Sequence, residues 1–249
     1  MSPSSVYRQG YSVEELLAAI IAREIREGEI TAVGTLSPIP AAAAYLAVAT
    51  TAPRAKILIL GGEPWPFTGG NKEFFDLAQR GKLGLFFLSG AQIDRRGSIN
   101  LTAIGHYERP KVRLPGGAGS AMLYYMARRV ILFKTDHTTR GFVPEVDFKT
   151  SVAVSPPNVY RPGRLTKVVT PLCVFAFDQE RQHLVLESVH PGVSVEEVGA
   201  NTGFSLATAG AIPVTPPPSE EDLRVLRTTV RERLRPTYPE FAASALRPA

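Results

Sequence analysis

Between Ser12 and Lys134 strand-like aliphatic runs alternate with helix-patterned segments, and no other feature constrains the fold of this chain as strongly. Glu29–Val33, Lys56–Leu60, Leu83–Leu88 and Val130–Lys134 read as strands. Leu83–Leu88 is a continuous apolar run that ends in small and polar residues, as a buried parallel strand does on reaching a site. Ser12–Glu27 reads as the first helix, with Ser12 and Glu15 as a capping box. Its apolar stripe is Val13, Leu16, Leu17, Ile20, Ile21 and Ile25, and Gly28 stops it. The alanine-rich Ile39–Thr50, with Pro40 in its first turn, then Glu73–Arg80 and Ser120–Arg128, are the further helices. Strand and helix succeeding one another at this spacing predict an open, largely parallel α/β sheet with helices on both faces.

Beyond Phe142 the prolines break the chain into shorter pieces. Val168-Val169, Val174–Phe177 and Leu184–Ser188 are strand candidates, suited to antiparallel additions in the C-terminal part. The last two are separated by the turn Asp178-Gln179-Glu180-Arg181. Ser194–Gly199 is a short helix with Ser194 and Glu197 at its start. Pro216-Pro217-Pro218 is a stiff spacer before a last helix, Ser219–Leu234. The expected organisation is a polar leader (1–10), one α/β domain (11–215), and a Pro-rich spacer with a C-terminal helix (216–249).

Composition bounds the function. A chain of 249 residues that is 44% hydrophobic and 20% charged is expected to be soluble, with an ample core. No apolar run reaches the length of a membrane span and no basic-then-apolar leader is evident, so a cytoplasmic protein without a membrane partner is expected. The one cysteine, Cys173, excludes an internal disulfide framework and sits in an apolar strand as a small hydrophobe. The net charge of +5 is spread along the chain, with doublets at Arg95-Arg96 and Arg128-Arg129 but no long tract. A solvated surface fits this better than a nucleic-acid face, and a phosphorylated small molecule also suits it.

Motifs narrow the chemistry. Gly117-x-Gly119 is followed by Met122 where a dinucleotide fingerprint needs a third glycine or alanine, so NAD is not expected. His106, His137, His183 and His190 have no metal-ligand spacing and read as structural or surface residues; no metal is expected. Gln92, Asp94 and Asn100 sit on the turn after the third strand, where open sheets place ligands. Equally, Asp94–Gly97 reads as a plain turn with Asn100 bonding local backbone. Gly116, Gly117 and Gly119 precede a helix, so their N–H groups can approach an anionic ligand; close helix–sheet packing is the other reading.

Together, Ser89-Gly-Ala-Gln-Ile-Asp94, Gly97-Ser-Ile-Asn100, Ile104-Gly105, Gly116-Gly-Ala-Gly119 and Val198-Gly-Ala-Asn-Thr-Gly203-Phe204 carry a resemblance. The chain resembles the β subunit of class I coenzyme A transferases, most of all the glutaconate type, from about Val13 to about Leu206. The resemblance implies the open α/β fold of that family, a homologous α subunit in an α2β2 assembly, and an acyl-CoA site at the α–β interface. It implies coenzyme A as the substrate moiety and no other cofactor. In that family a β-subunit glutamate after the second strand attacks the thioester. Here Leu60 stands in its place, followed by Gly61 and Gly62, and a shift of register would bring in Glu63. Gly62-Glu63 resembles a pair at that point in steroid-ring hydrolase relatives, which draw their glutamate from the α subunit. Other relatives decarboxylate a glutaconyl-type ester. The loss at Leu60 therefore makes hydrolysis or decarboxylation an alternative to transfer, and a non-catalytic scaffolding subunit a further one. Gly116, Gly117, Ala118 and Gly119 would supply the oxyanion or CoA contacts, with Gly61, Gly62, Gln92, Asp94 and Asn100 as substrate-site candidates.

Overall fold

Helix α1 (Val13–Ala22) starts at its expected capping box: Glu15 N donates to Ser12 Oγ at 3.0 Å and Ser12 N to Glu15 Oε2 at 2.8 Å. The structure, a computed structural model, describes residues 10–208 and 210–246, so the expected polar leader lies outside the described residues apart from Gly10. Helix α1 stops at Ala22 rather than Glu27 because the chain tightens into i→i−3 bonds, Glu24 N to Ile21 O and Ile25 N to Ala22 O. Strand β1 (Ile30–Val33), helix α2 (Pro38–Ala49), strand β2 (Lys56–Ile59), helix α3 (Asn71–Gln79) and strand β3 (Leu85–Leu88) follow. Two small hairpins come next, β4 (Gln92–Asp94) with β5 (Ile99–Asn100), and β6 (Ala103–Ile104) with β7 (Val112–Arg113). Helix α4 (Ser120–Met126) leads to β8 (Arg129–Phe133), β9 (Phe142–Val143), β10 (Arg164–Val169), β11 (Cys173–Asp178) and β12 (His183–Val189). Helices α5 (Val195–Ala200) and α6 (Glu220–Val225), a π turn (Leu226–Val230), α7 (Arg231–Leu234) and α8 (Pro239–Ser244) complete the order. The fold is mixed α/β, mostly parallel and flanked by helices, with antiparallel additions late in the chain, as expected.

The described residues gather into two compact units, the first holding 10–70, 83–87 and 216–246, the second 71–82, 88–208 and 210–215. In the first, the strand order is β2-β1-β3 and all pairs are parallel, with Ile30 opposite Lys56 and Thr31 opposite Leu85. Ala41, Ala42, Ala43, Ala44 and Ala47 of α2 are all buried, and their small side chains let α2 lie close against α1. The C-terminal helices belong to this unit. Arg227 donates to both oxygens of Glu15, at 2.7 and 3.0 Å, and the Glu15 side chain is 0% exposed. Removing one member of such a pair leaves the other buried and uncompensated. Arg227→Met is therefore expected to destabilise the chain by about 3 kcal/mol in urea unfolding, and the double variant Glu15→Met/Arg227→Met to recover only part of it, because Glu15 also accepts from the buried Ser12 N–H. An unchanged unfolding midpoint in the single variant would contradict this.

In the second unit β8 and β10 are parallel, while β10, β11 and β12 run antiparallel. Asp178 explains the reversal between β11 and β12. Its Oδ1 accepts from Glu180 N and Arg181 N, both at 2.9 Å, which closes the turn locally. Phe74, Tyr124, Phe142 and Phe175 are among the largest fully buried side chains of this unit.

Candidate functional site

In the first unit the carboxyl ends of β1, β2 and β3 share one edge because the strands are parallel, and ligands of open α/β sheets bind at such edges. Leu60 stands there, directly after β2, and extends the ladder by donating its N–H to Val33 O at 3.0 Å. The chain then turns sharply: Gly61 has φ +85° and Gly62 N donates to Ile59 O at 3.0 Å. Leu60 is half-buried and Glu63 is exposed. The edge position is thus aliphatic, and the nearest carboxylate along the chain stands on the loop beyond the turn.

In the second unit Gln92 and Asn100 face each other across the β4–β5 hairpin. Asn100 Nδ2 donates to Gln92 Oε1 at 2.7 Å and to Ala103 O at 2.7 Å. Asn100 Oδ1 accepts from Thr102 N and Ala103 N, and Gln92 Nε2 donates to Asp147 Oδ2 at 3.1 Å. Asp147 in turn accepts from Gly105 N at 2.7 Å. These amides hold loops together through one another, as satisfied buried networks do. Asp94 Oδ1 accepts from Arg96 N and Ser98 N, both at 2.9 Å, so its carboxylate shapes the hairpin turn. Burial pushes that carboxyl above the usual range, against the Ser98 and Arg96 N–H groups that favour the charged form.

The glycine turn is built for close approach. Gly116 has φ +96° and Ala118 φ +42°, both left-handed. A Cβ at Gly117 would lie 2.5 Å from Thr150 Cγ2 and 2.7 Å from Ser120 Oγ; one at Gly119 would lie 2.6 Å from Phe75 Cζ. Both therefore serve packing. Gly116 N donates to Leu101 O at 2.8 Å, whereas the N–H groups of Gly117, Ala118 and Gly119 meet no acceptor among the described residues. Ser120 Oγ lies 2.9 Å from Ser151 Oγ, and Tyr124 OH donates to Gly97 O at 2.8 Å, tying α4 to the β4–β5 turn.

Other features escape a reading of the sequence because only long-range packing makes them. A cavity of about 810 Å³ opens between the Asp94–Arg96 turn, Pro144-Glu145, Lys149 and the Thr202–Ser205 loop. The Gln-Ile-Asp and Asn-Thr-Gly-Phe motifs, far apart in the chain, meet on it. Gly203 has its own reason to be glycine there: its N–H donates to Phe142 O at 2.8 Å, and a Cβ would lie 2.5 Å from that oxygen. Lys134, just after β8, is a buried cation whose Nζ donates to Gly90 O at 3.1 Å and pairs with Asp136 at 3.1 Å.

Of the four histidines, His137 and His190 are buried and structural. His137 Nδ1 lies 2.8 Å from Thr170 Oγ1 and its Nε2 2.9 Å from Thr202 Oγ1, while His190 bonds Thr215 Oγ1 and Thr170 O. Desolvation lowers each imidazole to about 4. Cys173, beside them, is buried and its thiol is pushed up to about 12, which makes it inert as a nucleophile. Among the described residues no group of three or more His, Cys, Asp or Glu side chains stands ready to hold a metal ion, and no helix is long and apolar enough to cross a membrane.

The family follows from comparison. The Coenzyme A transferase family model matches residues 57–201, and the chain belongs to that family as a subunit of the β type. It is 32% identical over 244 residues to the β subunit of 3-oxoadipate CoA-transferase from Pseudomonas knackmussii, covering 87% of this chain and 92% of that protein. It is 30% identical over 231 residues to the cholesterol ring-cleaving hydrolase IpdB subunit of Rhodococcus jostii, covering 83% and 87%. Among solved structures, glutaconate coenzyme A-transferase of Acidaminococcus fermentans superposes with a TM-score of 0.76 at 26% identity, over 88% of this chain and 94% of that one. The decarboxylase AibA/AibB superposes with a TM-score of 0.76 at 26% identity, over 96% and 99%.

Proposed function

We propose that this chain is the β subunit of a two-component enzyme acting on an acyl-CoA thioester, and that the enzyme hydrolyses or decarboxylates its substrate rather than transferring CoA. One observation carries the reading: Leu60, half-buried at the carboxyl edge of β2, occupies the place where the resemblance puts the nucleophilic glutamate. A leucine offers no lone pair to a thioester carbonyl, so no acyl-enzyme forms on it. The catalytic carboxylate comes from a homologous α subunit in an α2β2 assembly, or from Glu63 on the loop beyond Gly61 and Gly62. In the hydrolytic case that carboxylate takes a proton from water, the hydroxide adds to the thioester carbon, and the C–S bond breaks to give an acid and free CoA. The N–H groups of Gly117, Ala118 and Gly119, which meet no acceptor among the described residues, stabilise the carbonyl oxygen as it gains charge. Relatives named as a hydrolase subunit and a decarboxylase complex support a non-transferase reaction on this fold.

Mass spectrometry of the purified two-subunit complex with acyl-CoA esters and added succinate separates the cases. Free CoA without succinyl-CoA is the thioester-hydrolysis outcome, gain of one water with CoA retained is the ring-cleaving hydrolytic one, and loss of CO2 with CoA retained is the decarboxylative one. Succinyl-CoA formation at a rate matching substrate loss overturns the proposal. The second reading, a scaffolding subunit, is favoured by the amides of Gln92 and Asn100, which bond one another and nearby backbone. It predicts turnover indifferent to changes in the glycine turn.

A further inference from the structure

We infer that the acyl group received by this subunit is apolar and carries no carboxylate at its far end, an inference that rests on reading the chain as part of an acyl-CoA enzyme. The acyl carbon reacts where Leu60 stands, so the rest of the acyl group lies against the segments that flank it. Those segments are Gly34–Ser37 after β1 and Leu60–Gly70 after β2, and they hold no Lys, Arg or His. Glu63 is their one ionisable side chain, and its charge repels a second carboxylate. The cation that meets the segment after β3, Lys134 at Gly90 O, is already paired with Asp136 at 3.1 Å. A carboxylate drawn out of water onto these segments finds no counter-charge in them.

The same edge offers hydrocarbon surface. One step past the Val33–Ile59 pair, Leu60 has Gly34 beside it, so the neighbouring strand position carries no side chain. A Cβ at Gly34 would lie 3.8 Å from Phe86 Cζ, which puts a phenyl ring on that face of the sheet. Leu36, on the turn after β1, is 85% exposed and held at φ +56°, a conformation that bulky residues rarely adopt. That turn is tied to the C-terminal helices by Ser37 N, which donates to Tyr238 OH at 3.4 Å. Beyond Gly61 and Gly62, the half-buried Trp65 and Phe67 meet edge to face with ring centroids 5.2 Å apart. Apolar and aromatic lining with few polar groups is what holds an uncharged ligand. 3-Oxoadipate and glutaconate, which name two of the relatives, are dicarboxylic acids, so the expected preference is the reverse of what those names describe. Polarity also narrows the reaction. Decarboxylation needs a carboxylate on the acyl group, and an uncharged one leaves hydrolysis, in which the water oxygen bonds the thioester carbon, the C–S bond breaks and the sulfur takes the proton.

Calorimetric titration of the two-subunit complex with two unreactive thioethers, S-hexyl-CoA and S-(5-carboxypentyl)-CoA, tests the preference, with CoA itself as the reference. The hexyl compound is expected to bind roughly tenfold or more tighter than the carboxypentyl one. Leu60→Arg, which puts a cation at the edge, is expected to close or reverse that gap. Leu36→Arg is the independent variant should the first fold poorly: its side chain is exposed, so little packing is lost, and a change of the same sign is expected. Equal affinity for the two thioethers, tighter binding of the carboxypentyl one, or a ratio unmoved by both variants overturns the preference. Loss of subunit assembly in Leu36→Arg, seen by size-exclusion chromatography, means that the partner covers this edge and overturns it as well. CoA binding without discrimination between the thioethers sinks the preference alone, whereas failure of CoA and both thioethers to bind sinks the reading on which it rests.

Discussion

Lowering the pH from about 6.5 to about 4 is expected to destabilise the folded chain by several kcal/mol, through His137 and His190. Both imidazoles are buried and neutral, with folded values lowered from 6.5 to about 4, first by desolvation. For His137, Asp136 opposes that shift, while Lys134 and His190 add to it; for His190, the bond to Thr170 opposes it. The sign follows from linkage. A group whose folded value is depressed binds its proton more readily in the unfolded chain, so stability is intact above 6.5 and falls as the pH drops toward 4. Each histidine contributes at most roughly 3 kcal/mol to that loss. Asp94, whose carboxyl is raised by burial, works in the opposite direction at the acid end of the window. Urea unfolding at intervals from pH 7 to 4.5 should show the decline. His190→Gln, which keeps a neutral hydrogen-bonding side chain, should shallow the slope by about half. Parallel pH profiles in the variant and the wild type would place the acid sensitivity elsewhere.

Gly117→Val is expected to lower acyl-CoA turnover by roughly 10²–10³-fold while the two subunits still assemble. A Cβ here meets Thr150 Cγ2 at 2.5 Å and Ser120 Oγ at 2.7 Å, and neither neighbour is free to swing away. Thr150 Oγ1 is held by Leu101 N and by Thr102 Oγ1 at 2.7 Å, and Ser120 Oγ by Ser151 Oγ at 2.9 Å. The turn itself must therefore move, taking the N–H groups of Gly117, Ala118 and Gly119 out of line with any carbonyl oxygen. Steady-state assay of the complex, with size-exclusion chromatography as the check on assembly, reads the two effects apart. Turnover at the wild-type level with assembly kept would favour the scaffolding subunit.

Helix α1 shows what local chemistry makes legible. Ser12 and Glu15 are three positions apart, their reciprocal bonds need nothing else, and they form as expected. The parallel pairing of β1, β2 and β3 and the antiparallel pairing of β10, β11 and β12 are also readable, because buried runs and turn residues are written in consecutive positions, whereas the short hairpins β4–β5 and β6–β7 are not. Gln92 and Asn100 mark the limit. Spacing leaves them as either ligand groups or turn residues, and only the fold shows the partners they take: the Gln92 amide donates to Asp147, distant in sequence, and the Asn100 amide donates to Gln92.

The amino-acid sequence by itself determined the α/β class, the order of most elements, the family signature and the leucine that stands where a glutamate is expected. Tertiary structure alone decided which polar groups remain available. It directs the N–H of Gly116 to Leu101 and leaves those of Gly117, Ala118 and Gly119 without acceptors among the described residues. It brings Arg95, Arg96 and Phe204 to one cavity and buries His137 and His190 in their neutral form. The physical reason is range. Periodicity, capping and turn chemistry act over about four residues, whereas desolvation and hydrogen-bond partnership are set by segments that meet only when the chain has packed.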